Sequence, residues 1–310
     1  ALGFWGAGQV TAAGDPAAAY DLAAQERVQT ATGSQGWFAF VNPPPFLFLA
    51  APLGWLPFPL AWIAWGLAGY ALWALVVIRA FPRFWPLVVV FPGALIAAGH
   101  GQTGFVTGVL LAGGVAAIAQ GRALIGGALL GALIVKPHLA LLVPFWLAAG
   151  GRWRAFAAAA AGALGLLALA WAVFGTQTML AYTTSWGASA AIMRGEDPGF
   201  YLRLATLYGQ LRLVVAPAVA LAVQVVVSVA SLALVLASWR RFEGDPLATG
   251  ALMLAATAIA SPYLFNYDLP FLILPILWLV RRGLEEGFRP WEKALLVLLY
   301  LAPHATRAAA

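Results

Sequence analysis

Residues Arg122–Gly150 read RALIGGALLGALIVKPHLALLVPFWLAAG, and how this stretch folds decides the architecture. As one helix it would be about 42 Å long at 1.5 Å per residue, too long for a hydrocarbon core of about 30 Å. Lys136-Pro137 falls near its middle, and an internal proline costs a helix about 3 kcal/mol. The stretch therefore predicts two short helices buried in protein, Ala123–Val135 and Leu139–Ala149. Orientation agrees. With two helices here, Arg79, Arg83, Arg122, Arg152, Arg154, Arg240, Arg241, Arg281, Arg282, Arg289 and Lys293 share one side. Arg27, Lys136, Arg194, Arg203 and Arg212 fall on the other, and the basic-rich side is assigned to the cytoplasm. A single helix would move Arg152 and Arg154 across and weaken that bias.

The whole composition supports a membrane setting. Of 310 residues, 63% are apolar and 9% charged, and mean hydropathy is +0.88. A water-soluble core of this size cannot hide so much apolar surface. The fold class expected is all-α, a polytopic transmembrane helix bundle with about ten spans. These are Pro57–Ile78, Trp85–Ala98, Thr103–Ala119, the two helices above, Ala155–Phe174, Leu213–Trp239, Leu247–Leu264, Leu269–Val280 and one from near Trp291. The chain forms one integral-membrane domain, 1–310, with outer-face loops at 1–45 and 175–212, the latter holding Gly195-Glu196-Asp197-Pro198. It begins at Ala1 with no Met and no signal-peptide pattern. A missing upstream segment with a first membrane helix is the expectation.

Several chemistries are excluded. With no cysteine there are no disulfides, thiolate metal sites or thiol nucleophiles. The net charge of +6 comes from residues flanking apolar segments, so bilayer orientation explains it better than nucleic acid. No phosphate-binding glycine loop, dinucleotide fingerprint or His-Glu-x-x-His motif is present. With three histidines no metal and no cofactor are expected, and an activated substrate would arrive on a lipid. Gly126-Gly127 and Gly131 read as small-residue helix contacts.

The polar residues carry the functional signal. The topology puts Asp15, Asp21, Asn42, His100, Gln102, Lys136, His138, Asn266 and Asp268 at outer ends of helices. Ionisable groups at membrane depth are costly and mark function by default, so one polar cavity open to the outer face is expected. Each group also has a structural reading. Asp15 before Pro16 is a good helix N-cap. His100-Gly101-Gln102 suits a helix-ending turn, Lys136 suits snorkelling, and Asp268 suits capping the next helix. The Pro43–Pro45 run reads as a rigid bend.

The ordered motifs resemble glycosyltransferase family 87, integral-membrane enzymes of the GT-C class. They are Gly14-Asp15-Pro16 with Tyr20-Asp21, Asn42-Pro43-Pro44, Pro52-Leu53 with Leu56-Pro57, Gly101-Gln102, Lys136-Pro137-His138-Leu139, and Ser261-Pro262-Tyr263 with Tyr267-Asp268. The likeness runs from about residue 4 to 304. It implies a GT-C-like bundle whose partners are a polyprenyl-phosphate sugar, mannose- or arabinose-like, and a lipid or glycan acceptor. The site would face outward from the cytoplasmic membrane. An acidic base belongs near the first outer loop. Asp15 is the candidate in this chain, although Phe4-Trp5-Gly6-Ala7-Gly8 is similar to the segment just downstream of the family base, which places that base before Ala1. At Asn266-Tyr267-Asp268 the chain departs from relatives that carry paired histidines.

The expected reaction follows. A carboxylate takes the proton of an acceptor hydroxyl that attacks the anomeric carbon, and polyprenyl phosphate leaves. Lys136 and His138 are candidates for the phosphate, and His100 and Gln102 for the sugar. Asp21, Asn42, Asn266, Tyr267 and Asp268 complete the substrate-binding set. The alternative is a polytopic transporter or flippase for lipid-linked sugars, since intramembrane charges and broken helices also occur there.

Overall fold

The computed structural model describes residues 1–195, 198–242 and 244–308, with the side chains of 188, 189, 191–194 and 306–308 aside. Glu196 and Asp197 of the expected 175–212 loop, and the Arg194 side chain, thus lie outside the described residues. The described residues are helical, with one isolated antiparallel bridge between Leu204 and Phe265. The protein is an all-helical membrane protein. Three helices are long and apolar enough to cross a bilayer, Phe58–Ala80, Trp153–Gly187 and Pro217–Arg241. A fourth is formed if Pro82–Val89 and Pro92–His100, bent by 51°, make one span. Leu164, Trp171, Val226 and Val229 on these helices are all more than half exposed. Contiguous apolar surface of that kind needs a lipid or protein partner.

Lys136-Pro137 breaks its stretch as expected. A 3₁₀ turn, Ala132–Val135, ends the first helix and another, Pro137–Ala140, begins the second. The resulting apolar helices Ala123–Val135 and Pro137–Ala149, like Gly104–Ala119 and Pro246–Ala260, are shorter than the three long spans. Leu269–Val280 resolves into a 3₁₀ helix, Asn266–Leu272, running into the helix Ile273–Glu286. The expected end of a span at Phe174 is also a real break, because Gly175 takes φ +78° and ψ 166°, a conformation that disfavours residues with a Cβ. The chain then resumes as helix to Arg194, so much of the 175–212 segment read as a loop is helical. Its Tyr182 and Trp186 sit one turn apart and pack at 5.5 Å.

Contacts divide the chain into two compact units, each gathered from distant segments. One comprises Ala1–Ala68, Ile134–Lys136 and Ala163–Glu196. Here the segment read as the 1–45 loop folds into helices Leu2–Ala12 and Leu22–Thr30. Leu2–Ala12 is too short to span a bilayer and is held by protein instead. Trp5 Nε1 donates to Leu56 O at 2.8 Å and Gln9 Nε2 to Gly54 O at 2.6 Å. Phe4 packs on Phe40, Phe46 and Trp65. Buried Gln29 holds Phe38 at both backbone groups, donating to its carbonyl at 2.8 Å and accepting from its amide at 2.9 Å.

The other unit comprises Gly69–Leu133, Pro137–Gly162 and Asp197–Ala310. Its core holds Trp73, Phe91, Phe271 and Trp146, all fully buried. Buried indoles need a partner for the N–H. Trp146 donates to Thr249 Oγ1 at 3.1 Å, Trp239 to Trp146 O at 2.8 Å, and Trp73 to Pro270 O at 3.2 Å. Gly127 and Gly131 pack against the backbone of Ala155 and Ala159, the small-residue contact expected from the sequence.

Candidate functional site

Within the second unit the polar residues gather around the turn Ser261–Leu272. The helix Pro246–Ala260 ends at Ser261, whose backbone is extended and whose hydroxyl donates to Tyr263 O at 3.0 Å. Rings then pack along the turn, Tyr263 edge to face on Phe265 at 5.2 Å and Phe265 stacked on Tyr267 at 4.9 Å and 11°. Asp268 is fully buried. Its Oδ2 accepts from Phe265 N at 3.2 Å and its Oδ1 from the Thr103 hydroxyl at 3.4 Å. The capping role read for Asp268 is therefore present, directed at the start of its own 3₁₀ helix. Asn266 is 2% exposed, and its Nδ2 has no hydrogen-bond partner among the described residues.

The segment His100–Gly104 supplies the facing groups. Gly101, at φ 55°, ends the helix Pro92–His100 in the left-handed conformation, so the helix-ending reading of His100-Gly101-Gln102 holds. His100 also meets Tyr267, with ring centroids 5.6 Å apart. Its Nδ1 lies 2.9 Å from Ile96 O. A carbonyl only accepts, so in this contact Nδ1 is the donor. Gln102 is half-buried between the two helices. Gly104 starts the next helix where a Cβ would collide with the Tyr267 carbonyl oxygen. His138 stands edge-on to Tyr263 at 5.4 Å.

Three residues of this corner escaped the sequence reading as site residues: Thr103, Tyr263 and Arg203. Thr103 directly follows Gln102 and Tyr263 lies in a quoted motif, so both had a local signal. Arg203 had none, because it reaches the corner only through tertiary pairing. Ala205 N donates to Leu264 O at 2.7 Å and Asn266 N to Arg203 O at 3.3 Å. Burial, then the charge of Asp268, pushes the Tyr263 phenol up to about 12, with the Arg203 charge opposing. Burial, then Asp268 and Tyr263, raises the Tyr267 phenol well above its ordinary value, again against Arg203. Both hydroxyls remain proton donors at any working pH.

In the first unit, Asp15 and Asp21 are exposed N-caps. Asp15 accepts from Ala18 N at 3.2 Å with Pro16 following, and Asp21 accepts from Ala24 N at 2.9 Å. The 3₁₀ helix between them ends in buried Tyr20, whose hydroxyl donates to Asn42 O at 2.9 Å. Burial, then Tyr182, raises this phenol. Asn42 in turn donates from Nδ2 to Val135 O at 3.3 Å, adjoining Lys136. Lys136 is 7% exposed. No group of three or more His, Asp or Glu able to hold a metal occurs among the described residues.

The described residues thus form an all-helical membrane protein that buries carboxylate, amide and phenol groups at a broken-helix turn. The family comparison is more specific. Residues 40–262 match the model of glycosyltransferase family 87, and the chain belongs to that family. The match includes Asn42, His100, Gln102, Lys136 and His138, whereas Asp15, Asp21 and Asn266–Asp268 lie beyond it. Comparisons with curated proteins and with solved structures return no match.

Proposed function

We propose that this membrane glycosyltransferase moves a mannose- or arabinose-like sugar from a polyprenyl-phosphate donor to a lipid or glycan acceptor. The reaction takes place on the outer face of the cytoplasmic membrane, with the shorter apolar helices crossing as protein-surrounded spans. The acceptor oxygen bonds to the anomeric carbon as the bond from that carbon to the phosphate oxygen breaks. The acceptor proton passes to a carboxylate, for which Asp15 is the candidate within this chain. Lys136 and His138 serve the leaving phosphate, and Gln102, Asp21 and Asn42 belong to the binding set.

The observation that supports this reading most is the buried amide of Asn266, whose Nδ2 has no hydrogen-bond partner among the described residues. A buried donor without a partner costs about 1–3 kcal/mol. A sugar hydroxyl that accepts from this amide relieves that cost. Sugars are bound by mixed donors and acceptors on aromatic faces. The basic bias of the opposite side favours the outward orientation.

The test is transfer in proteoliposomes with full-length protein and labelled polyprenyl-phosphate sugar. A glycosylated lipid or glycan product is expected without any nucleotide sugar. Efficient transfer from a nucleotide sugar alone, or flux of the donor with no covalent product, would refute the reading.

A further inference from the structure

A cavity of about 330 Å³ lies at the basic end of the membrane-spanning helix Pro217–Arg241. It belongs wholly to the second unit and shares no residue with the Ser261–Leu272 turn. Its wall carries three arginines, Arg241, Arg281 and Arg282, and three carboxylates, Asp245, Glu285 and Glu286. Trp278 and Phe242 line its apolar side. None of these groups has a part in sugar transfer as proposed above, and the inference does not depend on that reading.

The charges are paired along one helix. Arg282 Nε meets Glu286 Oε2 at 2.7 Å and Arg281 Nε lies 3.9 Å from Glu285 Oε1. Each arginine also lies against a ring, Arg282 over Trp278 at 5.8 Å, Arg281 over Phe81 at 5.7 Å and Arg241 over Phe242 at 5.9 Å. Asp245 uses Oδ1 to cap Leu247 N at 2.8 Å. The bond to Glu286 occupies Nε of Arg282, and the outer edges of the guanidinium forks are the part a ligand phosphate would meet.

We infer that this cavity binds the zwitterionic headgroup of a phospholipid with a primary amine, phosphatidylethanolamine. Its place at the end of a span is the depth of lipid phosphates. Three carboxylates among the arginines repel a purely anionic headgroup, and three arginines repel a purely cationic one. A zwitterion satisfies both, its phosphate on the guanidinium forks and its ammonium on Asp245 and Glu285. A choline headgroup fits less well. A quaternary ammonium has no N–H to give a carboxylate and is bound on aromatic faces. Here the Trp278 face is taken by Arg282 and the Phe242 face by Arg241, and the two rings meet edge to face at 5.7 Å.

The experiment uses the full chain, purified in detergent and delipidated, with short-chain phosphatidylethanolamine, phosphatidylcholine, phosphatidylglycerol and free phosphoethanolamine as probes, and bound ligand read by native mass spectrometry. The ethanolamine lipid should bind roughly tenfold more tightly than either other lipid, because it forms one more charge-assisted hydrogen bond or avoids one repulsion. Arg241→Gln should weaken it about tenfold. Asp245→Asn, which keeps the helix cap, should abolish the preference over phosphatidylglycerol while leaving the melting temperature unchanged. Equal binding of the three lipids, or unchanged preference in both variants, would overturn the inference. Free phosphoethanolamine binding as tightly as the lipid would also overturn it, by showing a site for a soluble ligand.

Discussion

The Thr103 hydroxyl donates to Asp268 Oδ1 at 3.4 Å across 165 residues of chain, pinning the start of the helix Gly104–Ala119 to the turn that carries Asn266 and Tyr267. Both partners are buried, Thr103 at 2% and Asp268 at 0% exposure. Asp268 also accepts the Phe265 amide. Replacing it with Asn turns one oxygen into a donor facing these donors. Asp268→Asn should therefore destabilise the protein by about 1–3 kcal/mol, and Thr103→Val by less, about 0.5–1.5 kcal/mol, since it removes one long hydrogen bond. Thermal unfolding in detergent measures both. Equal effects would mean that the backbone bond at Phe265 contributes nothing.

Gly104 tests the same junction by shape. A methyl at this position would collide with the Tyr267 carbonyl, and small-to-large changes in packed sites cost about 1–3 kcal/mol. Gly104→Ala should lower both stability and transfer activity. Gly99→Ala is the control, because a Cβ there meets nothing within 4 Å. Similar losses in the two would deny that the close approach matters.

Asp15 can be a cap, a base, or both. Asn caps a helix about as well as Asp, whereas Ala loses about 0.5–2 kcal/mol. A purely structural Asp15 leaves Asp15→Asn fully active and Asp15→Ala less stable. A catalytic Asp15 makes Asp15→Asn stable and inactive, with a loss of about 10²–10⁴-fold for a missing general base. Transfer rate beside melting temperature separates the cases, and the proposed function expects the second.

Lys136 is buried next to a proline that interrupts its helix. Lys136→Met keeps the apolar stem and deletes the charge. Loss of a charge-assisted bond to the donor phosphate should cost about 1.5–3 kcal/mol, roughly ten- to 150-fold in donor use at limiting concentration. An unchanged rate in a normally folded variant would leave Lys136 without a role in donor binding.

The Tyr263 phenol, pushed up to about 12, ties stability to alkaline pH. Below pH about 10 the phenol is protonated in folded and unfolded chains alike, and its contribution is complete. Between pH 10 and 12 the unfolded chain loses this proton and the folded chain keeps it, so ionisation favours unfolding and stability falls as pH rises. Phenolate absorbance should show a high-pH fraction that Tyr263→Phe reduces. A Tyr263 signal titrating near pH 10 in folded protein would contradict the burial described here.

The amino-acid sequence alone determined the membrane setting, the helical class, the break at Lys136-Pro137 and the end of a helix at Phe174-Gly175. Each rests on a local property: apolar runs, a missing proline N–H, or a glycine tolerating positive φ. It also exposed the family, because the motif order survives in the chain. Local signals did not show how much helix 1–45 and 175–212 contain. Leu2–Ala12 is too short to span a bilayer, and what holds it, the Gln9–Gly54 and Trp5–Leu56 bonds, comes from residues more than 40 positions away. The same limit hid Arg203, which a pairing with Leu264–Asn266 carries to the candidate site. It also left Asp15 and Asp268 each with two readings. A carboxylate in a sequence has no burial and no partners until the fold assigns them. Tertiary structure made Asp268 a buried acceptor and left Asp15 an exposed cap, because burial and hydrogen bonding are properties of the packed chain.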